Sequence, residues 1–140
     1  MITVFIDTSV ILSASFSKLG ASALILGYCR KNKIKGFISK YVLSEIKRNI
    51  PRLDQLGKQR LNFYILQSNL DIVNNPSLDE MATFQEFINP KDAPVLAAAV
   101  KNKVSYLVTH NTKDFMLPKI KTFVKPLIVL TPRDFLKLVK

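Results

Sequence analysis

The chain alternates between short apolar runs and longer stretches in which apolar residues recur at helical spacing. Residues 2–6 are almost wholly apolar and rich in β-branched side chains, which predicts a strand buried on both faces. Further short strands are predicted, in chain order, at residues 36–38, 70–73, 104–109 and 127–130.

Between these strands, the apolar positions predict helices at residues 19–31, 41–50, 55–68, 78–88 and 93–101, and a closing helix after Thr131. Ser39 is expected to cap the second helix and Pro51 to end it. Thr131 is expected to cap the closing helix, with Pro132 at its first position. Strands that alternate with helices in this way predict a parallel α/β sheet covered on both faces, and no linker divides the chain.

The charge balance points to a partner class. The 140 residues include 21 Lys and Arg against 10 Asp and Glu, a formal net charge of +11. A positive field of this size attracts polyanions, so nucleic acid is the first candidate partner. An anionic membrane surface and a simple contribution to solubility are the alternatives.

Several classes of protein are excluded by the same sequence. No apolar run approaches the roughly 20 residues that span a bilayer, and Asp7 interrupts an N-terminal run that lacks a preceding basic segment. One cysteine, Cys29, and one histidine, His110, exclude an internal disulfide and a Cys/His structural zinc site. We therefore expect a cytoplasmic protein that does not associate with membranes.

The few acidic residues fall at related positions in the predicted fold. Asp7 directly follows the first strand, and Glu45 lies in the helix after the second. Asp92 opens the helix that leads into the 104–109 strand, and Asp114 follows that strand, with Asn111 between them. Because these positions all lie at the carboxyl edge of a parallel sheet, where ligands of open α/β folds bind, we expect the four carboxylates to meet.

Each of these carboxylates also has a structural interpretation. Asp7 could cap the turn that follows it, Asp92 could cap the helix it precedes, and Asp114 could pair with Lys113 or cap the next turn. Glu45 lies among apolar residues, where a carboxylate needs a partner or a metal ion. Neighbouring carboxylates repel one another, and a divalent cation with oxygen ligands, Mg²⁺ or Mn²⁺, offsets that repulsion.

At these positions the sequence resembles the PIN-domain family of metal-dependent ribonucleases. It is most similar to small single-domain prokaryotic members, many of which are VapC-type toxins of toxin–antitoxin pairs. The resemblance covers nearly the whole chain and rests on four ordered runs, at residues 5–10 (FIDTSV), 42–46 (VLSEI), 91–99 (KDAPVLAAA) and 107–115 (LVTHNTKDF).

This resemblance implies a single PIN-like nuclease domain over residues 1–140. Its fold would be a three-layer α/β/α sandwich around a mostly parallel five-stranded sheet. The implied activity is endoribonuclease cleavage of RNA phosphodiester bonds with Mg²⁺ or Mn²⁺, by the toxin of a type II toxin–antitoxin pair. A homodimer and an antitoxin partner are implied as well. The implied catalytic and metal-binding residues are Asp7, Glu45, Asp92 and Asp114, supported by Thr109, Asn111 and Ser9.

One position departs from the family pattern. Many members carry an Asp where this chain has Asn111, so a catalytically weakened PIN-fold module that binds RNA or protein is the alternative function. A 5′ nuclease acting on DNA shares the acidic metal chemistry, but the short chain has little room for a helical arch. The side chains expected to bind RNA phosphates are Arg30, Lys47, Arg48 and Lys113.

Overall fold

Five strands form one central sheet in the computed structural model, which describes residues 1–139. The strands are β1 (Thr3–Ile6), β2 (Lys35–Ser39), β3 (Asp71–Val73), β4 (Tyr106–Val108) and β5 (Ile128–Leu130). Their order is β3-β2-β1-β4-β5, and every neighbouring pair is parallel. The sheet is therefore more regular than the mostly parallel arrangement expected from the sequence.

Helices cover both faces of this sheet, which confirms the predicted three-layer α/β/α sandwich. Right-handed crossovers place the helices between β1 and β3 on one face and those leading to β4 and β5 on the other. The helices are α1 (Thr8–Phe16), α2 (Ala21–Arg30), α3 (Lys40–Asn49), α4 (Gln55–Gln67), α5 (Leu78–Gln85), α6 (Ala93–Lys101), α7 (Thr112–Phe115), α8 (Pro118–Phe123) and α9 (Pro132–Val139).

The core is built on the central strands and the helices that cover them. Phe5 of β1 is fully buried and lies in register with Phe37 of β2 and Leu107 of β4. The alanine-rich helix α6 buries one side chain after another, because small residues allow it to approach the sheet closely. Among residues 1–139, no single helix is long and apolar enough to cross a membrane; α1 and α2 meet that test only as a pair bent by 103°.

The predicted elements are present with boundaries that differ by a few residues, and the predicted caps at Ser39 and Thr131 are confirmed. Ser39 Oγ accepts a hydrogen bond from the Val42 amide, and Thr131 Oγ1 accepts one from the Asp134 amide. Helix α1 was not predicted, because its sequence, TSVILSASF, has no polar face and is rich in residues of low helix propensity. Burial against the sheet and neighbouring helices determines its conformation.

The strand order creates a switch point between β1 and β4. From β1 the chain proceeds to β2 and β3 on one side, and it returns to the other side at β4 and β5. The carboxyl ends of β1 and β4 therefore diverge into different loops and leave a crevice between them. Asp7 follows β1 and Thr109 follows β4, so both residues lie at this crevice.

Candidate functional site

Asp7 is held rigidly at the carboxyl end of β1. It is 7% exposed, and its backbone N–H continues the ladder by donating to the Val108 carbonyl. One carboxylate oxygen accepts from the Thr8 amide at 2.9 Å, which caps α1. The other accepts from the hydroxyls of Ser9 at 2.8 Å and Thr109 at 2.7 Å. Asp7 therefore caps α1, and three hydrogen-bond donors stabilise its negative charge. Its capping hydrogen bond does not prevent the carboxylate from also taking part in a metal or catalytic site.

Glu45 is tied to Asp7 through the intervening residue. It lies in the second turn of α3, where its Oε1 accepts a hydrogen bond from the Thr8 hydroxyl at 2.8 Å. Thr8 thus contacts Asp7 with its amide and Glu45 with its side chain. The structure brings together the carboxylates that follow β1 and β2.

Asp92 and Asp114 are joined by Asn111. The Asn111 side-chain amide donates to Asp114 Oδ2 at 3.1 Å and makes a longer contact of 3.5 Å with Asp92 Oδ2. Asn111 also caps α7 by accepting from the Asp114 amide, and its own amide donates to Thr109 Oγ1. Asp92 precedes α6, but its side chain makes no capping hydrogen bond, so the capping interpretation of this residue is wrong.

The electrostatics of the site reflect the crowding of these carboxylates. Burial raises the pKa of Asp92 from 3.8 to about 6, and the negative charges of Asp114, Asp7 and Glu45 act in the same direction. Burial also raises the pKa of Glu45, and the Thr8 hydrogen bond opposes that shift. We call Asp7, Glu45, Asp92 and Asp114 the carboxylate rim, because they surround the crevice at the switch point.

The comparisons with known proteins identify the family. A family model described as PIN domain matches residues 3–113. The chain belongs to the PIN domain family. Nucleases of this family generally use divalent metal ions.

Solved structures share the fold of this PIN domain at low identity. VapBC2 from Rickettsia felis, bound to a DNA fragment from its promoter, matches with a TM-score of 0.63 and 20% identity over 93% of this chain and 98% of that chain. PAE2754 from Pyrobaculum aerophilum matches with a TM-score of 0.67 and 14% identity over 99% and 89%. VapC20 from Mycobacterium tuberculosis, a sarcin–ricin loop cleaving toxin, matches with 0.52 and 14% over 74% and 86%. No curated protein matches the sequence.

The rim of this PIN domain fits a divalent cation in its chemistry. Its donors are all oxygen atoms, the ligands that Mg²⁺ and Mn²⁺ prefer. Across the described part of the chain, no three Asp, Glu, His or Cys side chains form a group spaced to hold a metal ion as they stand. Two contacts bear on this spacing: both oxygens of Asp7 accept hydrogen bonds, and the Asn111 amide lies between Asp92 and Asp114.

The basic side chains expected to bind RNA are distributed around the PIN domain. Arg48 lies one turn beyond Glu45 on the same side of α3, whereas Lys47 is exposed on the opposite side of that helix. Lys113 is exposed in α7 beside Asp114. Arg30 ends α2, where the chain enters the amino end of β2, so it lies at the opposite edge of the sheet and contacts the Phe63 ring at 5.9 Å.

Three residues at the site were not predicted from the sequence. Thr8 stands in the run around Asp7, and only the structure shows that its hydroxyl holds Glu45. Tyr41 and Lys91 are the other two, and the Tyr41 hydroxyl donates to the Lys91 carbonyl at 3.0 Å. The spacing of Tyr41, Glu45 and Arg48 on one face of α3 was the available signal, but Lys91 lies 50 positions from Tyr41 in the chain.

Proposed function

We propose that this PIN domain is an endoribonuclease that hydrolyses RNA phosphodiester bonds with the help of Mg²⁺ or Mn²⁺. One observation supports the proposal: carboxylates from four separate elements lie near enough, at the carboxyl edge of a PIN-domain sheet, for the charges of Asp114, Asp7 and Glu45 to act on Asp92. Hydrogen bonds from Thr109, Thr8 and Asn111 hold Asp7, Glu45 and Asp114 in place, and we propose that a bound cation draws the four carboxylates into a metal site.

Asp7, Glu45, Asp92 and Asp114 are the residues that would hold the cation. A divalent cation bound there would lower the pKa of its bound water and would neutralise negative charge on the phosphate. Ser9 and Thr109 keep Asp7 in one orientation, as described above. Asp92, whose carboxylate makes a long contact of 3.5 Å with the Asn111 amide, is the residue suited to orient the attacking water or to accept its proton.

The proposed partners follow from charge and from the structural neighbours. The net charge of +11 favours RNA, and VapC20, which shares the fold, is named as a toxin that cleaves the sarcin–ricin loop. We propose that this chain is likewise the toxin of a type II pair, silenced by an antitoxin and assembled as a homodimer. The VapBC2 complex supports the antitoxin partner.

A second function is favoured by Asn111. Asn111 stands where many family members carry another carboxylate. Its side-chain amide donates to both Asp92 and Asp114, so a neutral donor occupies a position between two carboxylates that a cation could otherwise take. A module that binds RNA or protein without cleaving it is therefore the second candidate. Cleavage assays distinguish the two, because the module would bind RNA equally well with and without metal and leave it intact.

The deciding experiment compares RNA cleavage by the wild-type protein, Asp92→Asn and Asp79→Asn. Labelled single-stranded and folded RNAs are incubated with Mg²⁺, with Mn²⁺ or with EDTA. Asp79 is an exposed carboxylate in the first turn of α5, so its variant controls for the loss of one negative charge. We expect metal-dependent cleavage by the wild type and by Asp79→Asn, and none by Asp92→Asn. Cleavage in EDTA, or full activity of Asp92→Asn, would refute the proposed function.

A further inference from the structure

A cleft lies beside the carboxylate rim, between α3 and the segment that precedes α6. Its volume is about 370 Å³, and it is lined by Tyr41, Glu45, Arg48, Asn49, Arg52 and Lys91. We call these six residues the basic cleft. Glu45 belongs to both the rim and the cleft, so the cleft lies next to the carboxylate rim.

Three of the six lining residues are cations that form no ion pair in the described part of the chain, although the charges of Arg48 and Lys91 act on Glu45. Within residues 1–139, ion pairs join Lys35 to Asp71, Lys101 to Glu80 and Lys137 to Asp134, and none involves the basic cleft. Arg48, Arg52 and Lys91 therefore bring three positive charges to one concave surface, with Glu45 as its sole acidic lining residue. Like charges held together in this way favour an anionic ligand.

The walls of the basic cleft are fixed by hydrogen bonds. The Tyr41 hydroxyl donates to the Lys91 carbonyl at 3.0 Å, which joins α3 to the segment before α6. The Tyr41 amide donates to Asn75 Oδ1 at 2.7 Å, and the Asn49 side chain donates to the Glu45 carbonyl at 2.8 Å. Arg48 and Lys91 thus project from anchored backbone, which reduces the entropic cost of binding.

We propose that the basic cleft binds a backbone phosphate of the RNA strand, adjacent to the phosphodiester held at the carboxylate rim. The proposal rests on the proposed function. Arginine forks and a lysine ammonium match the oxygens of a phosphate in charge and geometry. An acidic protein segment is the competing ligand class, and the position of the cleft, next to the rim at Glu45, favours RNA. The RNA strand would then cross the site along α3.

The test measures RNA binding in EDTA, so its outcome does not depend on cleavage. A fluorescently labelled single-stranded RNA is titrated with the wild type, Arg48→Ala/Arg52→Ala and the control Lys18→Ala/Lys31→Ala at several salt concentrations. Both control lysines are exposed and lie outside the cleft. Circular dichroism checks that each variant is folded. A further variant, Arg48→Lys/Arg52→Lys, keeps the positive charges but loses the two-pronged guanidinium hydrogen bonds.

We expect the double alanine variant to bind RNA about tenfold more weakly for each arginine removed. Its slope of log affinity against log salt should fall by about 0.7 for each RNA phosphate that is no longer neutralised. The control pair should keep most of the affinity and slope, and the double lysine variant should recover most of the slope. Equal reductions of affinity in the alanine and control pairs would overturn the proposal, because they would indicate only a general effect of net charge.

Two further results separate this proposal from the proposed function. If the wild type fails to cleave RNA but the Arg48→Ala/Arg52→Ala variant still binds RNA more weakly in EDTA, the proposed phosphate site in the basic cleft is supported and the proposed nuclease activity is wrong. If the wild type binds polyglutamate more tightly than RNA, and the Arg48→Ala/Arg52→Ala variant loses affinity only for polyglutamate, the cleft binds acidic protein segments and the RNA proposal is wrong.

Discussion

Replacing Asp92 with Asn should stabilise the metal-free protein while removing its activity. The pKa of Asp92 is raised from 3.8 to about 6, because burial and the neighbouring carboxylates disfavour its charged form. Asparagine has nearly the same shape and carries no charge. It retains an oxygen that can accept the weak contact from Asn111.

The pH dependence of this effect has a definite sign. Well below pH 3.8, Asp92 is protonated in both folded and unfolded chains, and at pH 4 only the unfolded chain has begun to ionise, so the substitution should change the free energy of unfolding by about 0.5 kcal/mol there. As the pH rises toward 6, the unfolded chain releases this proton more readily than the folded one, and the wild type loses stability. A shift of this size corresponds to about 3 kcal/mol without screening. Because Asp92 is half-buried at an open rim, solvent screening reduces the expected gain to about 1 to 2 kcal/mol at pH 8.

Urea unfolding in EDTA at pH 4 and pH 8 measures both free energies. The control is Asp79→Asn, which should change the free energy of unfolding by less than about 0.5 kcal/mol at either pH. A stabilisation of Asp92→Asn that is the same at both pH values would refute the electrostatic reasoning, and a destabilisation at pH 8 would refute the assignment of Asp92 to a crowded rim.

Further outcomes are expected from metal addition and from two substitutions. Mn²⁺ at 100 times its dissociation constant should stabilise the wild type by about 2.7 kcal/mol in urea unfolding, and Asp92→Asn by less. Thr109→Val removes the buried hydroxyl that donates to Asp7, and should lower the free energy of unfolding by about 1 to 3 kcal/mol together with cleavage. Gly36→Ala places a Cβ 2.9 Å from Cys29 Sγ, and this overpacking should cost about 1 to 3 kcal/mol in the same assay.

Each of these outcomes has a control. Mn²⁺ should act on Asp79→Asn as on the wild type, and an equal response from Asp92→Asn would contradict its role in holding the cation. Thr109→Ser retains the hydroxyl and should keep activity; loss of activity in both variants would point to packing instead of the hydrogen bond. Gly27→Ala is the control for Gly36→Ala, because no atom lies within 4 Å of its added Cβ.

Much of the fold was predictable because its signals are local. A strand buried on both faces is apolar at every position, as at Val4–Ile6, and a helix start is marked by a capping side chain, as at Ser39. Parallel strands separated by helices then follow from chain connectivity. Helix α1 was not predicted, because its conformation is determined by burial against its neighbours and its sequence shows no helical spacing of apolar and polar residues.

The candidate site was predictable for a related reason. Asp7, Asp92 and Asp114 lie next to strand or helix ends, so topology alone brings them to one edge of the sheet. The contacts between these side chains were not predictable. Thr8 reaches Glu45 across 37 positions, and Asn111 reaches Asp92 across 19, because packing of separate helices determines which side chains meet.

The distribution of charge shows the same division. Composition alone determined that the protein carries a field attractive to polyanions, since net charge is a sum that does not depend on the fold. Tertiary structure decided where that charge lies. The direction of α2 carries Arg30 to the edge of the sheet opposite the carboxylate rim, whereas a hydrogen bond between Tyr41 and the Lys91 carbonyl brings two distant segments together around the basic cleft. The sequence determines how many charges the protein carries, but which charged side chains become neighbours depends on how elements far apart in the chain pack together.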